Sequence, residues 1–266
     1  MSETVVTTAD IGSAARALRQ QQPLVQCITN YVSMDLAANL LNAAGASPAM
    51  VHDVHEAGEF AGLADAVVAN IGTPSPAWAE GMLAAVETAQ RRGIPWVFDP
   101  VAVGATGYRR ELAGRLLEHR PTVIRGNAGE ILALAGVADA SRGVDSAAGT
   151  DQAAEAAQQL AGRLDCVVAV TGADDLVTDG RHQVIISGGD PRAPMITALG
   201  CATTALVAGC VAASDPLTGT TTALAMITAA IERAGRDADG PGSLRWRLLD
   251  QLSTVSAQDL STVRIR

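Results

Sequence analysis

The sequence predicts an α/β protein with a mostly parallel central sheet and helices on both faces. Short β-rich runs alternate with longer amphipathic segments along the chain, the pattern of repeated strand–helix units. Several of those runs are apolar throughout, as strands covered on both faces must be. The length of 266 residues suffices for one large domain with a substantial core.

In chain order, Leu24–Ile28 reads as the first strand and the segment near Met34–Asn42 as a helix. Ala66–Ala69 is the next strand, followed by a helix over Pro76–Arg91. Pro95–Phe98, a helix over Arg110–Glu118 and the strand Thr122–Ile124 continue the alternation. The stretch 136–149 is polar and rich in Ala and Gly, an expected exposed connection. Asp151–Arg163 then reads as a helix and Cys166–Val170 as a strand. Gln183–Ser187 is an added strand after the turn Thr178-Asp179-Gly180, and Gly188-Gly189-Asp190-Pro191 breaks the chain. A helix-like run, Ala202–Ala213, follows. Neither a composition shift nor an internal repeat marks a second domain, so residues 1–266 read as one.

Composition excludes whole classes of function. Hydrophobic residues make up 48% but aromatics only 3%, so the core is built from Ala, Val, Leu and Ile. All 19 basic residues are arginine. Without lysine, neither a Walker A phosphate loop nor a Schiff-base mechanism is available. A net charge of −9 argues against general binding to nucleic acid or anionic membranes, yet leaves room for a small phosphorylated ligand. The four cysteines, Cys27, Cys166, Cys201 and Cys210, show no metal-ligand spacing. The start MSETVVTTAD lacks the basic and apolar regions of a signal peptide, so reduced thiols and a cytoplasmic location are expected. The segment Ala193–Ser214 is uncharged and near bilayer length. Its Pro194, threonines and glycines make it a buried core helix instead.

Chemistry concentrates at Thr197-Ala198-Leu199-Gly200-Cys201, where a polar loop opens the uncharged helix. A helix start presents unpaired N–H groups and a positive dipole end, which suits phosphate. Cys201 in that field is expected to have a lowered pKa and to handle a proton. Cys27, Cys166 and Cys210 lie in apolar runs and read as packing. A cysteine hydrolase would need an imidazole, and His52, His55, His119 and His182 sit in loop-like contexts without such a signature.

In an open α/β sheet the ligand crevice lies beyond the carboxyl ends of the strands. There the sequence places Asp99-Pro100, Arg125-Gly126-Asn127 and Thr171-Gly172. An acid, an arginine and a hydroxyl converging on one site suit phosphoryl transfer, where positioning and charge neutralisation do most of the work. Arg125 ends an apolar strand, where a charge is costly unless it meets solvent or a ligand. Glu130 lies three residues past Asn127, the spacing of a helix capping box; the same helix start would present Glu130 to Mg²⁺ held through water. Asp99 is read as an active-site acid or as a cap.

These residues lie in segments that resemble the hydroxyethylthiazole kinase family of the ribokinase-like superfamily. The resemblance covers Pro23-Leu24-Val25-Gln26-Cys27-Ile28-Thr29-Asn30, Gly45-Ala46-Ser47-Pro48-Ala49-Met50, Asn70-Ile71-Gly72-Thr73, Asp99-Pro100-Val101, Ile124-Arg125-Gly126-Asn127 with Glu130, Val170-Thr171-Gly172, and Gly240-Pro241-Gly242-Ser243 with Leu252-Ser253-Thr254-Val255. It implies a single three-layer domain and ATP- and Mg²⁺-dependent phosphorylation of the alcohol of 4-methyl-5-(2-hydroxyethyl)thiazole in thiamine salvage. Met50, Asn30, Ala198 and Gly200 would meet the thiazole alcohol, Arg125, Thr171, Gly172 and Asn127 the ATP, and Asp99 with Glu130 the metal. Cys201 stands where superfamily relatives carry an aspartate base. Against the family's loop, Ala198 replaces a glycine whose φ > 0 an alanine reaches at a cost of roughly 1–2 kcal/mol, and Leu199 replaces a small residue and is expected to crowd the γ-phosphate or the alcohol. The family resemblance also implies a homotrimer with sites at subunit interfaces. The alternatives are a kinase for another small heterocyclic alcohol, or a weakly active nucleotide- or thiazole-binding protein with its loop altered at Ala198 and Leu199.

Overall fold

The computed structural model describes residues 5–136 and 147–266, so most of the connection expected over 136–149 lies outside the described residues. The chain begins with helix α1 (Thr8–Gln21), strand β1 (Leu24–Ile28), α2 (Met34–Ala44), β2 (Ser47–Ala49) and α3 (Ala57–Ala61). It continues through β3 (Ala66–Asn70), α4 (Pro76–Arg92), β4 (Trp96–Asp99), α5 (Gly107–Leu117), β5 (Val123–Asn127), α6 (Ala128–Ala135) and α7 (Ala147–Leu164). A strand β6 (Val167–Thr171) leads into β7 (Asp174–Thr178) and β8 (Gln183–Ser187). The chain closes with α8 (Leu199–Ala212), α9 (Pro216–Gly235), α10 (Pro241–Ser253), α11 (Ala257–Leu260) and β9 (Arg264–Ile265).

Local chemistry sets the helix starts. Ser75 caps α4 by accepting from the Trp78 N–H, with Pro76 already set for the first turn. Thr106 caps α5 in the same way, and α4 stops where Gly93 takes up φ 68°.

Among the described residues, nine strands form one sheet in the order β2-β1-β3-β4-β5-β6-β7-β8-β9. Pairings from β2 to β6 are parallel, whereas β7, β8 and β9 add on antiparallel. The parallel strands are buried on both sides, which is why they read as unbroken apolar runs. Their alternate residues feed two cores. Val25, Cys27, Val68 and Val97 join the core beneath α1, α2, α8, α9 and α10. Ile28, Val67, Phe98 and Ile124 join the core beneath α4, α5 and α7.

The expected α/β architecture holds, with most strands running one to three residues further than the apolar pattern suggested. The ladder continues into polar residues because main-chain pairing does not require an apolar side chain. α8 is the buried helix expected from its uncharged sequence: every residue from Ala202 to Val211 is buried. It is wedged between α2, α9 and the strands β1, β3 and β4. Among the described residues, no helix is long and apolar enough to cross a membrane.

Candidate active site

The strand order reverses at β1. The chain leaves β1 for β2 on one side and then returns to β3 on the other. Such a reversal opens a crevice at the carboxyl ends of the strands. Asn30 lies just past β1, while Asn70, Asp99, Asn127 and Thr171 are the last residues of β3, β4, β5 and β6. The first turn of α8 meets this row of strand ends.

Ala198 is the cap residue of α8 and adopts φ 66°, ψ 8°, the left-handed conformation anticipated for it. No side chain caps this helix start. The Leu199 N–H donates to Ile196 O and the Ala202 N–H to Ala198 O, while the N–H groups of Gly200 and Cys201 have no acceptor among the described residues. Two unpaired donors at a positive helix end suit an anion. Leu199 packs against the helix-side core, so its bulk is accommodated there.

Arg125 closes one side of this turn. Its Nη2 donates to Thr171 Oγ1 at 2.7 Å, and a Cβ on Gly200 would stand 2.8 Å from its Nη1. The Nε–H is buried without a partner. An unspent guanidinium donor beside free backbone amides is the chemistry a polyphosphate requires. Thr171 and Gly172 flank it, and the Gly172 N–H donates to Asp175 Oδ1 at 3.0 Å. Burial pushes the Asp175 carboxyl up to about 6, opposed by that hydrogen bond and by Arg125.

Asp99 is buried, at 1% exposure. Its Oδ2 accepts from Asn70 Nδ2 at 2.6 Å and from Thr204 Oγ1 at 2.8 Å. Burial raises its pKa to about 6; Arg125 opposes the shift, Glu130 adds to it, and the two hydrogen bonds oppose it. Glu130 and Asn127 form the expected capping box: Glu130 N–H donates to Asn127 Oδ1, and Asn127 N–H to Glu130 Oε2, both at 2.9 Å. Glu130 Oε1 accepts from the Ala102 N–H at 2.9 Å. Among the described residues no three His, Cys, Asp or Glu side chains gather as a metal cage. Two carboxylates near the Arg125 guanidinium and the helix start fit Mg²⁺, which is held through few protein ligands, water and substrate phosphates.

Cys201 is the one partly exposed cysteine of the four. The expected lowering of its pKa is corrected by the structure: burial pushes the thiol up to about 11, and the Asp99 charge adds to this. Hydrogen bonds from Asn70 and Asn30 and the Arg125 charge pull the other way without prevailing. Desolvation outweighs the helix field because the sulfur sits between α8 and the strand ends. Cys27, Cys166 and Cys210 are buried, as their apolar runs implied. No histidine hydrogen-bonds Cys201 among the described residues; His182 pairs with Asp179, and His52 stacks on Trp78.

Met50 follows β2 at the same end of the sheet and packs against the core on the α8 side, with its carbonyl 3.3 Å from His52 Nδ1. The structure brings Asn30, Asp99, Arg125, Asn127, Glu130, Thr171, Gly172, Ala198, Gly200 and Cys201 to one region; Met50 has no hydrogen bond into that network.

Four participants went unremarked as site residues in the sequence: Asn70, Thr204, Asp175 and Arg109. Asn70 ends an apolar strand as Asp99 does, so the same reading of strand ends could have found it. Thr204 hides in an alanine-rich helix. Arg109 donates to the carbonyls of Ile71, Gly72 and Val101, pinning the loops after β3 and β4, and no local pattern announces this.

The chain matches the Hydroxyethylthiazole kinase family over residues 15–258. A hydroxyethylthiazole kinase of Gemmatimonas aurantiaca is 54% identical over 248 residues, covering 93% of this chain and 90% of that protein. The solved structure of a hydroxyethylthiazole kinase protein from Pyrococcus horikoshii superposes with a TM-score of 0.90 at 38% identity, covering 96% and 98% of the two chains. A ribokinase-like superfamily protein of Enterococcus faecalis shares the fold alone, with a TM-score of 0.63 at 10% identity over 97% and 92% of the chains.

Proposed function

The chain belongs to the hydroxyethylthiazole kinase family, and from that premise we propose that it transfers the γ-phosphoryl group of ATP to the hydroxyl of 4-methyl-5-(2-hydroxyethyl)thiazole, in thiamine salvage. The observation that carries this reading is the capless start of α8, where two unpaired amides lie beside the buried, unpartnered Nε–H of Arg125.

Arg125, with Thr171, Gly172 and Asn127 beside it, binds the ATP phosphates, while the amides of Gly200 and Cys201 hold the moving phosphoryl group. Such preorganised donors stabilise charge where it develops. Asp99 and Glu130 would hold Mg²⁺, which would supply charge neutralisation to the phosphates. Met50, Asn30 and the Ala198–Gly200 turn bound the acceptor pocket. The alcohol oxygen attacks the γ-phosphorus, the bridging bond to the β-phosphate breaks and ADP departs. The thiolate form of Cys201 takes the alcohol proton; burial keeps that form scarce at neutral pH.

We also infer a cytoplasmic homotrimer with sites at its interfaces. Tyr31 and Val32, large apolar residues 69% and 58% exposed beside Asn30, support an assembled face there. Light scattering showing only monomer at micromolar concentration would remove this part.

Incubation with γ-labelled ATP, Mg²⁺ and a panel of heterocyclic alcohols tests the activity. Label is expected in the thiazole phosphate. Preferred labelling of another alcohol, or none above background, would overturn the assignment.

A further inference from the structure

A chain of two side-chain amides joins the buried carboxylate of Asp99 to the sulfur of Cys201. Asn70 Nδ2 donates to Asp99 Oδ2 at 2.6 Å. Asn30 Nδ2 donates to Asn70 Oδ1 at 2.9 Å and to Cys201 Sγ at 3.3 Å. Both asparagines are buried, Asn70 completely and Asn30 to 4% exposure.

Neither amide is free to turn over. The backbone N–H groups of Val32 and Ser33 point at Asn30 Oδ1 at 3.1 Å each, and the Gly72 N–H points at Asn70 Oδ1 at 2.8 Å. A backbone N–H only donates, so each oxygen has to face it and each NH₂ has to face the other way. Rotating Asn70 would set its NH₂ against the donors of Gly72 and Asn30, and its oxygen against the Asp99 carboxylate. That would leave several buried polar groups unsatisfied at once, at a cost far above thermal energy.

The sulfur therefore meets N–H donors held in fixed directions: Asn30 Nδ2 at 3.3 Å, with the Asn70 amide also bearing on it. Asn70 and Asn30 sit on the two strand ends that flank the reversal of strand order, so the relay also spans the mouth of that crevice.

We propose that Asn70 is a positioning residue for the phosphoryl transfer: through Asn30 it locks the Cys201 sulfur toward the acceptor alcohol and ties that orientation to the Asp99 carboxylate. The proposal rests on the kinase reading above for its consequence in turnover, but its geometry stands on these contacts alone. Asn70 needs no contact with substrate for this role.

A double-mutant cycle with Cys201 tests it. Asn70→Ala is expected to lower kcat at least tenfold, with KM for ATP and for the alcohol within threefold of wild type. In a Cys201→Ser background, the same substitution is expected to change kcat less than twofold. An equal loss in both backgrounds would mean that Asn70 supports the fold generally, and would overturn the proposal. A second measurement does not depend on turnover. Cys201 is the only cysteine that is not buried, so iodoacetamide reports on it selectively. Removal of Asn70 takes away the oxygen that steadies the Asn30 NH₂ and an amide that bears on the sulfur, so alkylation at pH 9 should slow at least threefold. An unchanged rate overturns the relay. Should wild-type protein phosphorylate none of the alcohols offered, the kinase reading fails while the alkylation arm still decides the relay. Asn70→Ser, which keeps a hydroxyl, carries both comparisons if the alanine variant does not fold.

Discussion

The guanidinium of Arg125 occupies the space that a side chain at residue 200 would need, since a Cβ on Gly200 would lie 2.8 Å from Nη1. A side chain at this position would therefore displace the Arg125 guanidinium from its present place, and no left-handed backbone is involved.

Gly200→Ala is expected to push the Arg125 guanidinium off Thr171 and away from the helix start. Loss of one charge-assisted hydrogen bond to phosphate is worth about 1.5–3 kcal/mol, so KM for ATP should rise roughly tenfold to a hundredfold. Steady-state kinetics with calorimetric ATP binding check this. Wild-type affinity would show that the arginine does not depend on the gap.

Ala198→Gly addresses the turn itself. Alanine at φ 66° is strained by roughly 1–2 kcal/mol, and glycine's greater freedom in the unfolded chain returns about half of that. A net stabilisation of about 0.5–1 kcal/mol is expected, raising Tm by about 1–4 °C. Turnover should stay within twofold, because the backbone already holds the required shape. Thermal melts together with kcat decide both halves.

The pH dependence of Cys201 follows from a thiol pushed up to about 11. The deprotonated fraction then rises about tenfold per pH unit from 7 to 10. Iodoacetamide reaction at Cys201 and kcat are both expected to climb over that range. In Cys201→Ser the climb in kcat should vanish, and Cys201→Asp should turn over faster than Cys201→Ser. An alkylation plateau below pH 8.5 would contradict the buried environment.

Asp175 carries the opposite kind of test. Its carboxyl is raised from 3.8 to about 6 in the folded protein, so between those values the folded state binds the extra proton. Stability contributed by this group is present below about pH 4 and is lost as pH rises through 6. Asp175→Asn keeps an oxygen for the Gly172 N–H and removes the penalty. It should stabilise the protein at pH 8 by at most about 3 kcal/mol and leave stability at pH 4 nearly unchanged. Denaturant titrations at the two pH values measure the difference.

Much of this molecule was legible in its residues. The parallel strands announced themselves because burial on both faces leaves no polar position in runs such as Val67–Ala69. β7 gave no such signal: it starts on Asp174 and Asp175, whose charge masks a ladder paired on both sides. Asp99, Arg125 and Thr171 were found by following each apolar run to its polar stop, although the ladder of β5 runs past Arg125 to Asn127. The Cys201 thiol was misjudged because a helix start can be recognised locally, whereas burial against the strand ends is a property of the assembled fold. The hydrogen bond between Thr204 and Asp99 spans 105 positions, and no periodicity encodes a partner at that distance.

α8 is enclosed along its length from Ala202 to Val211, with neighbours on every side. Deuterium should accordingly penetrate its middle turns only through global opening of the protein, while the amides at 200 and 201 exchange freely until a ligand covers them. Exchange along this one helix thereby separates a shaft that reports on the whole fold from a tip that reports on the ligand.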